Sequence, residues 1–507
     1  MAVLGAKAFF IVAGLAQQTL LQWAIGLAGY GALSRVTVFS NVVNNVMVSS
    51  SIQGVSRAVA RAPGHEEEAL RATMRVHVPL ALLLAALFAL GAPFMAAFEH
   101  APYITAPLLV MAGVVGLYGV YAPLVGSLNG RGRFGRQAAL DVTSAALRTL
   151  AVVAIGRMFF LGGGSGVLGV TVGAVVAAAC VLPLAVHWAG TGRASSQHVP
   201  GVPRAAEYLM GLWPLAVAQL FTNILMQSDL ALLGRFLSQS AGNLGLENAS
   251  AIKLADEWTG IYRSCQLFAF LPYQLLFSVT QVLFPMLARA KAEGDMVAVR
   301  AYVLRGARLA AIVCGLLVSV VVVAPGSLLA FAYSADVAAR GENALRVLAL
   351  GQGAFAMMGI ATTVLASLGK ERISAIITFG ALTLVSIACF WFVPAQLFGA
   401  AQLQATAIAT SVALLGALVA AGAAVRALTG AFIPLKTALR VGLALALCFV
   451  VGPHVPRVTT GAWHFRLVVI AIAIAVAVAY IAFLFATGEL GKEDIALVRT
   501  LARRKRP

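Results

Sequence analysis

Amide and guanidinium side chains recur inside stretches of this sequence that are otherwise apolar. The stretch 36–60 carries Asn41, Asn44, Asn45, Ser49 and Ser51, then Gln53 and Arg57, with Arg35 just before it. The stretch 260–287 carries Arg263, Gln266, Gln274, Ser278 and Gln281, which a helix turning 100° per residue gathers into an arc of about 120°. Gln219, Asn223 and Gln227 follow at intervals of four in 208–236, and Gln18 and Gln22 likewise in 8–29. The chemistry open to such a set is non-covalent recognition. Each single Gln or Ser is as readily an interhelical hydrogen bond. Their placement on equivalent segments is better explained by a shared polar cavity, which is where polar groups inside a membrane belong.

The arginines are more demanding, because a buried cation needs an anionic partner. Arg57, near the inner end of its stretch, is a candidate for the cavity, while Arg35 and Arg263 can equally snorkel to an interface. Three residues are candidates for ion coupling. Asp229 could carry a proton, coordinate sodium or pair with an arginine. Asp141 and Arg148 lie seven apart on one helix face, about 10 Å along the axis, so both are candidates for the lumen rather than for pairing with each other. No catalytic constellation, no metal-ligand spacing and no phosphate-binding loop is found, so neither enzyme chemistry nor a cofactor or metal is expected. The histidines lie mostly in loops. The five cysteines, Cys180, Cys265, Cys314, Cys389 and Cys448, show no pairing pattern and read as small buried hydrophobes.

The elements that must position these groups are membrane helices. Of the 507 residues, 61% are hydrophobic and only 11% charged, with a mean hydropathy of +0.93. Soluble domains carry about a quarter charged residues, so the outer face of this chain must meet lipid. Apolar runs of spanning length, of which Leu467–Thr487 is the clearest, predict fourteen helices. They fall at 8–29, 36–60, 78–98, 103–128, 137–159, 165–189, 208–236, 260–287, 306–333, 345–368, 372–394, 398–425, 437–454 and 464–487. A turn is expected near 30–35 and a long outer loop at 238–257. The first run stays attached as a span, since no cleavage site precedes it. The net charge of +18 does not point to nucleic acid, because the basic residues are scattered at helix ends. Most of them fall on one side, including Arg57, Arg61, Arg131, Arg133, Arg289, Lys291 and the tail. The positive-inside rule therefore places both termini in the cytoplasm. Residues 489–507 read as a basic amphipathic tail on the anionic inner surface.

An internal repeat organises the helices. At a shift of 228, Arg35 meets Arg263, Ser50 meets Ser278, Gln53 meets Gln281, and Ala60-Arg61-Ala62 meets Ala288-Arg289-Ala290. Six helices per repeat give two like-oriented lobes with a site between them near the midplane. The expected organisation is a six-helix lobe at 1–190, a linker at 191–206, a second lobe at 207–426, two added helices at 427–488, and the tail.

Three stretches resemble the multidrug/oligosaccharidyl-lipid/polysaccharide flippase superfamily, in its polysaccharide transporter branch. Asp229-Leu230-Ala231-Leu232-Leu233-Gly234-Arg235 is similar to that branch's Asp-x-x-Leu-Leu-Gly-Arg pattern. Gly260-Ile261-Tyr262 opens a helix that ends Leu283-Phe284-Pro285-Met286-Leu287-Ala288-Arg289, and Gly491-Lys492-Glu493-Asp494 is similar to the usual ending. The resemblance implies a monomeric two-lobed bundle of an inner membrane that flips an undecaprenyl-diphosphate-linked oligosaccharide by alternating access. It also implies polymerase and glycosyltransferase machinery as partners. A lipid II flippase and a cation-coupled multidrug antiporter share the fold and are the alternatives, with a membrane glycosyltransferase or polymerase as a distant third.

Overall fold

The computed structural model describes residues 2–191, 201–455 and 463–491, with the side chains of 2–12, 281–282 and 463 outside that description. The basic tail from 492 onward and most of the 191–206 linker therefore lie outside the described residues. All regular structure among the described residues is helical. The chain forms α1 (Ala2–Ala60), α2 (Glu66–Phe98), α3 (Thr105–Gly130), α4 (Phe134–Leu161), α5 (Gly166–Ala189), α6 (Ala205–Gly242), α7 (Asn248–Ala269) and α8 (Leu271–Ala292). It continues with α9 (Met296–Val323), the short α10 (Pro325–Ala332), α11 (Ala335–Ser367), α12 (Glu371–Phe392), α13 (Ala400–Thr429), α14 (Leu435–Val451) and α15 (Trp463–Ala486). Twelve helical segments from Glu66 onward are long and apolar enough to cross a membrane, and they match the third to fourteenth expected spans. The first two spans are both carried by α1.

Two of the boundaries that differ from expectation bear on the site. The first break falls at Gly26, with φ 76° and ψ 170°, rather than at 30–35. Glycine alone adopts that backbone cheaply, whereas Gly31, against which α7 packs, stays helical. A Cβ at Gly31 would lie 1.8 Å from the carbonyl oxygen of Asp256, and one at Gly260 would lie 2.8 Å from that of Leu27. The second difference is at 238–257, where α6 and α7 leave a turn of only 243–247. Polar residues on the inward face of these helix ends break up the apolar run that marks a span.

By packing, the chain divides into two compact units, Met1–Arg263 and Ser264–Pro507. This division is separate from the lobe boundaries expected from the repeat, which stand as a proposal. In the first unit, the segment of α1 before Gly26 runs beside α4. Thr149 Oγ1 donates to Gln17 Oε1 at 3.2 Å, and Arg157 Nη1 to the Ala24 carbonyl at 3.3 Å. The segment after Gly26 runs beside α3, where Gly119, Gly126 and Gly130 meet Met47, Val55 and Val59 in turn. Small residues at such crossings let helices approach where lipid supplies no hydrophobic drive. The outward face of α2 presents Leu82, Leu83, Leu87, Leu90 and Phe94 exposed, an apolar surface suited only to hydrocarbon.

In the second unit, α11 meets α13 where Ser411 Oγ donates to the Val347 carbonyl at 3.0 Å. Tyr480 of α15 crosses α9 over Gly315 and donates to the Ile312 carbonyl at 3.2 Å. Beyond α15, buried Glu489 accepts from Arg308 Nε at 2.8 Å, Arg440 Nη1 at 2.9 Å and Thr437 Oγ1 at 2.6 Å. Burial alone would raise that carboxyl. The hydrogen bonds from Thr437, Arg308 and Arg440 outweigh it and hold Glu489 below its ordinary range. Of the cysteines, Cys265, Cys314 and Cys389 are buried and Cys448 half-buried, but Cys180 is exposed.

Candidate functional site

Arg57 lies in the last turn of α1 and Arg61 directly follows the helix, its amide donating to the Arg57 carbonyl at 3.2 Å. Both are exposed. With Gly54, Gly201, Glu207 and Tyr208 they line a cavity of about 460 Å³ in the first unit. The first turns of α6 make its far wall. That wall sits close to α1 because Gly54 leaves room, its Cβ position lying 2.9 Å from both the Tyr208 hydroxyl and Leu212. Gly201, at φ +84°, lays its backbone on the Arg61 carbonyl. Two guanidinium groups against the single carboxylate of Glu207 leave the lining cationic. Neither arginine makes an ion pair among the described residues. Guanidinium forks of this kind bind phosphate oxygens bidentately.

Behind Tyr208 lies a buried histidine that the sequence reading left aside. His77 of α2 joins Tyr208 Oη at 2.7 Å through Nε2 and Ser51 Oγ at 3.2 Å through Nδ1. The two rings meet edge to face at 5.5 Å. The cavity wall is thereby tied to α1 and α2 together.

The other candidate residues scatter. Asn45 Nδ2 donates to Asn223 Oδ1 at 3.0 Å, and Asn223 donates in turn to the Gln219 carbonyl at 2.8 Å. These three form a hydrogen-bonded link between α1 and α6. Gln53 is exposed on the face of α1 toward Arg57, and Asn41 is half-buried. Gln18 accepts from Tyr30 Oη at 2.9 Å, while Gln22 Oε1 is buried without a hydrogen-bond partner among the described residues. Asp229 is buried and accepts from Tyr262 Oη at 2.8 Å and from the Leu230 amide at 2.8 Å. Asp141 and Arg148 are half-buried on α4. Arg263 is half-buried and Gln274 exposed, and the side chain of Gln281 lies outside the described residues.

Arg35 does not line open space. It is 1% exposed, with Nε 3.0 Å from Asp256 Oδ1 and Nη1 3.7 Å from Glu99 Oε2. Nη1 also donates to Ser238 Oγ at 2.5 Å, and Nη2 to Thr259 Oγ1 at 3.2 Å. Tyr103 Oη closes the group against both oxygens of Asp256, at 2.6 and 2.7 Å. The Gly31–Gly260 crossing builds this network, since Arg35 and Asp256 lie one turn from those glycines on α1 and α7. Neither snorkelling nor a cavity contact describes Arg35. Glu99, Tyr103 and Asp256 were missed because nothing local marks them as partners of a residue so distant in the chain.

Comparison with known proteins fits this architecture. The sequence model of the family described as "Polysaccharide biosynthesis protein" matches residues 7–291. Curated proteins give no match. Among solved structures, one described as lipid II flippase MurJ in an inward closed conformation has a TM-score of 0.72 and 13% identity, covering 95% of this chain and 98% of that one. An outward-facing multidrug resistance MATE transporter of the MOP superfamily has a TM-score of 0.59 and 15% identity, covering 85% of this chain and 94% of that one. A MOP superfamily transporter from Pyrococcus furiosus, described as having a binding pocket of reversed polarity, has a TM-score of 0.59 and 14% identity, over 85% and 94%. These likenesses establish the shared helical fold.

Proposed function

Because the chain belongs to the polysaccharide biosynthesis protein family, we propose that it is a flippase for a lipid-linked oligosaccharide, moving an undecaprenyl-diphosphate-borne glycan across the cytoplasmic membrane by alternating access. The observation that carries this reading is the cavity of Arg57 and Arg61. Two adjacent guanidinium groups, without an ion pair among the described residues, suit the two phosphates of such a headgroup, and charge-assisted forks are the strongest recognition available to them. Tyr208 supplies a hydroxyl at the same wall. Asn45, Gln53 and Asn223 continue a polar track along α1 and α6 that offers donors and acceptors to sugar hydroxyls. The prenyl chain stays in hydrocarbon, against apolar faces such as that of α2. Glycosyltransferases that build the glycan and a polymerase that uses it are the proposed partners, and both termini are placed in the cytoplasm.

A second reading, a lipid II flippase, draws support from the fold shared over nearly the whole length with a protein described as one. The two cargoes share the diphosphate and differ in the saccharide. The deciding experiment removes the protein from its cell and identifies which lipid-linked glycan accumulates on the cytoplasmic leaflet. Accumulation of a repeat-unit oligosaccharide supports the first reading and accumulation of lipid II the second. If neither accumulates, the flippase assignment fails.

A further inference from the structure

The network around Arg35 contains more negative than positive charge, and one carboxyl in it is left over. Asp256 is fully engaged, by Arg35 Nε at 3.0 Å and by Tyr103 Oη on both oxygens. Glu99, at the corner between α2 and α3, is 0% exposed. Neither of its carboxyl oxygens has a hydrogen-bond partner among the described residues. The nearest cationic nitrogen, Arg35 Nη1 at 3.7 Å, is already committed to Ser238 Oγ and, at 3.4 Å, to the Glu99 carbonyl. The other nearby cation, Arg235 of α6, is turned away. Its Nη1 donates to the Phe98 carbonyl at 2.8 Å, and its guanidinium carbon stands 4.8 Å from the centre of the Phe98 ring. The Glu99 carboxyl instead rests on bare backbone, since a Cβ on Gly234 would come within 2.6 Å of Oε2.

A carboxylate without hydrogen bonds in such a niche is strongly disfavoured, whereas the neutral acid fits it. Burial pushes the Glu99 carboxyl up to about 8, against the pull of Arg35 and Arg235 and with Asp256 adding to the rise. His100, next in the chain, is exposed and pairs with Gln239 Nε2 at 2.8 Å. The charged and titratable groups facing Glu99 are thus Arg35 from α1, Tyr103 from the turn before α3, Arg235 from α6 and Asp256 from α7.

We propose that Glu99 is a proton-binding site and that its proton is the coupling ion for the transport described above; the coupling role rests on that reading, the proton site does not. Ionised, Glu99 competes with Asp256 for the single guanidinium of Arg35. Neutral, it leaves that pair intact. The state of one carboxyl therefore decides how α1 and α7 are held to the α2–α3 corner.

The proton site is tested on the purified full-length protein by infrared spectroscopy and thermal melting from about pH 5 to about pH 9. Wild type is expected to show, at about pH 7, the carbonyl-stretch band of a protonated, buried carboxyl that fades toward about pH 9, and Glu99→Gln to lack that band at about pH 7. A raised carboxyl stabilises the fold most below its ordinary range and loses that contribution as pH climbs through its folded value. The melting temperature of wild type should accordingly fall over this range, and that of Glu99→Gln should not. A band at about pH 7 that persists in Glu99→Gln, or its absence from wild type, overturns the site; the wild-type measurement decides this even if the variant does not fold. Coupling is tested in proteoliposomes with a fluorescent lipid-linked diphosphate glycan. A pH gradient should speed wild-type movement and leave Glu99→Gln unaffected. Equal response of the two overturns the coupling role, whereas no movement in either, with the infrared band intact, overturns the transport reading and leaves the proton site standing.

Discussion

Arg35 and Arg57 stand on the same segment of α1, yet they have opposite surroundings. Arg35 is 1% exposed and bound on every side by Asp256, Glu99, Ser238 and Thr259. Arg57 is exposed in a cavity beside Arg61, with no ion pair among the described residues. A guanidinium buried against a carboxylate and two hydroxyls can hold helices together but cannot take a ligand. One whose donors are free adds little to the fold and has its binding capacity intact. Polarity within a span therefore marks either role, and burial against an anionic partner tells them apart.

Removing one partner of the buried site should have the largest effect. Arg35→Ala leaves Asp256 buried without its cation and should destabilise the first unit by about 3–5 kcal/mol, read as a loss of folded yield or of melting temperature in detergent. If Arg35→Ala melts like wild type, the contrast between the two arginines is broken. Gly31→Ala attacks the same site through its geometry. The added methyl meets the Asp256 backbone, and the overpacking should cost about 3 kcal/mol, with Gly260→Ala behaving alike. The open site responds differently. Arg57→Ala and Arg61→Ala should leave melting within about 0.5 kcal/mol of wild type but each weaken binding of a diphosphate lipid by about 1.5–3 kcal/mol, measured by titration into nanodiscs. That binding should also weaken with added salt, as exposed charges do, while the melting contribution of Arg35 should not. The smallest effect is expected from Tyr208→Phe, which loses the hydroxyl shared with His77 and should shift stability by about 1 kcal/mol.

Much of the fold was legible because lipid imposes a single requirement, a long apolar run, and Leu467–Thr487 meets it without help from the rest of the chain. The break at Gly26 was not legible. Several glycines compete there, and α7 decides among them by pressing on Gly31. The helical ends of α6 and α7 were hidden for the opposite reason: Ser238, Asp256 and Thr259 look like loop residues until Arg35 is seen to require them. Arg57 could be picked out because a cation near the end of an apolar stretch signals itself locally. Glu99 could not, since its importance comes from Gly234, Asp256 and Arg35, none of them its neighbours in sequence. His77 was passed over with the other histidines because Tyr208, its partner, lies 131 residues away.

The clasp at Glu489 has a consequence for how the protein is made. Arg308 and Arg440 emerge from the ribosome well before the acid they bind, so α9 and α14 enter the bilayer each carrying a cation whose partner has yet to be made. Only after residue 489 has been synthesised can the three helix ends be drawn together. A reading frame cut short just upstream would leave the last helix pair inserted but unfastened, a natural substrate for membrane quality control.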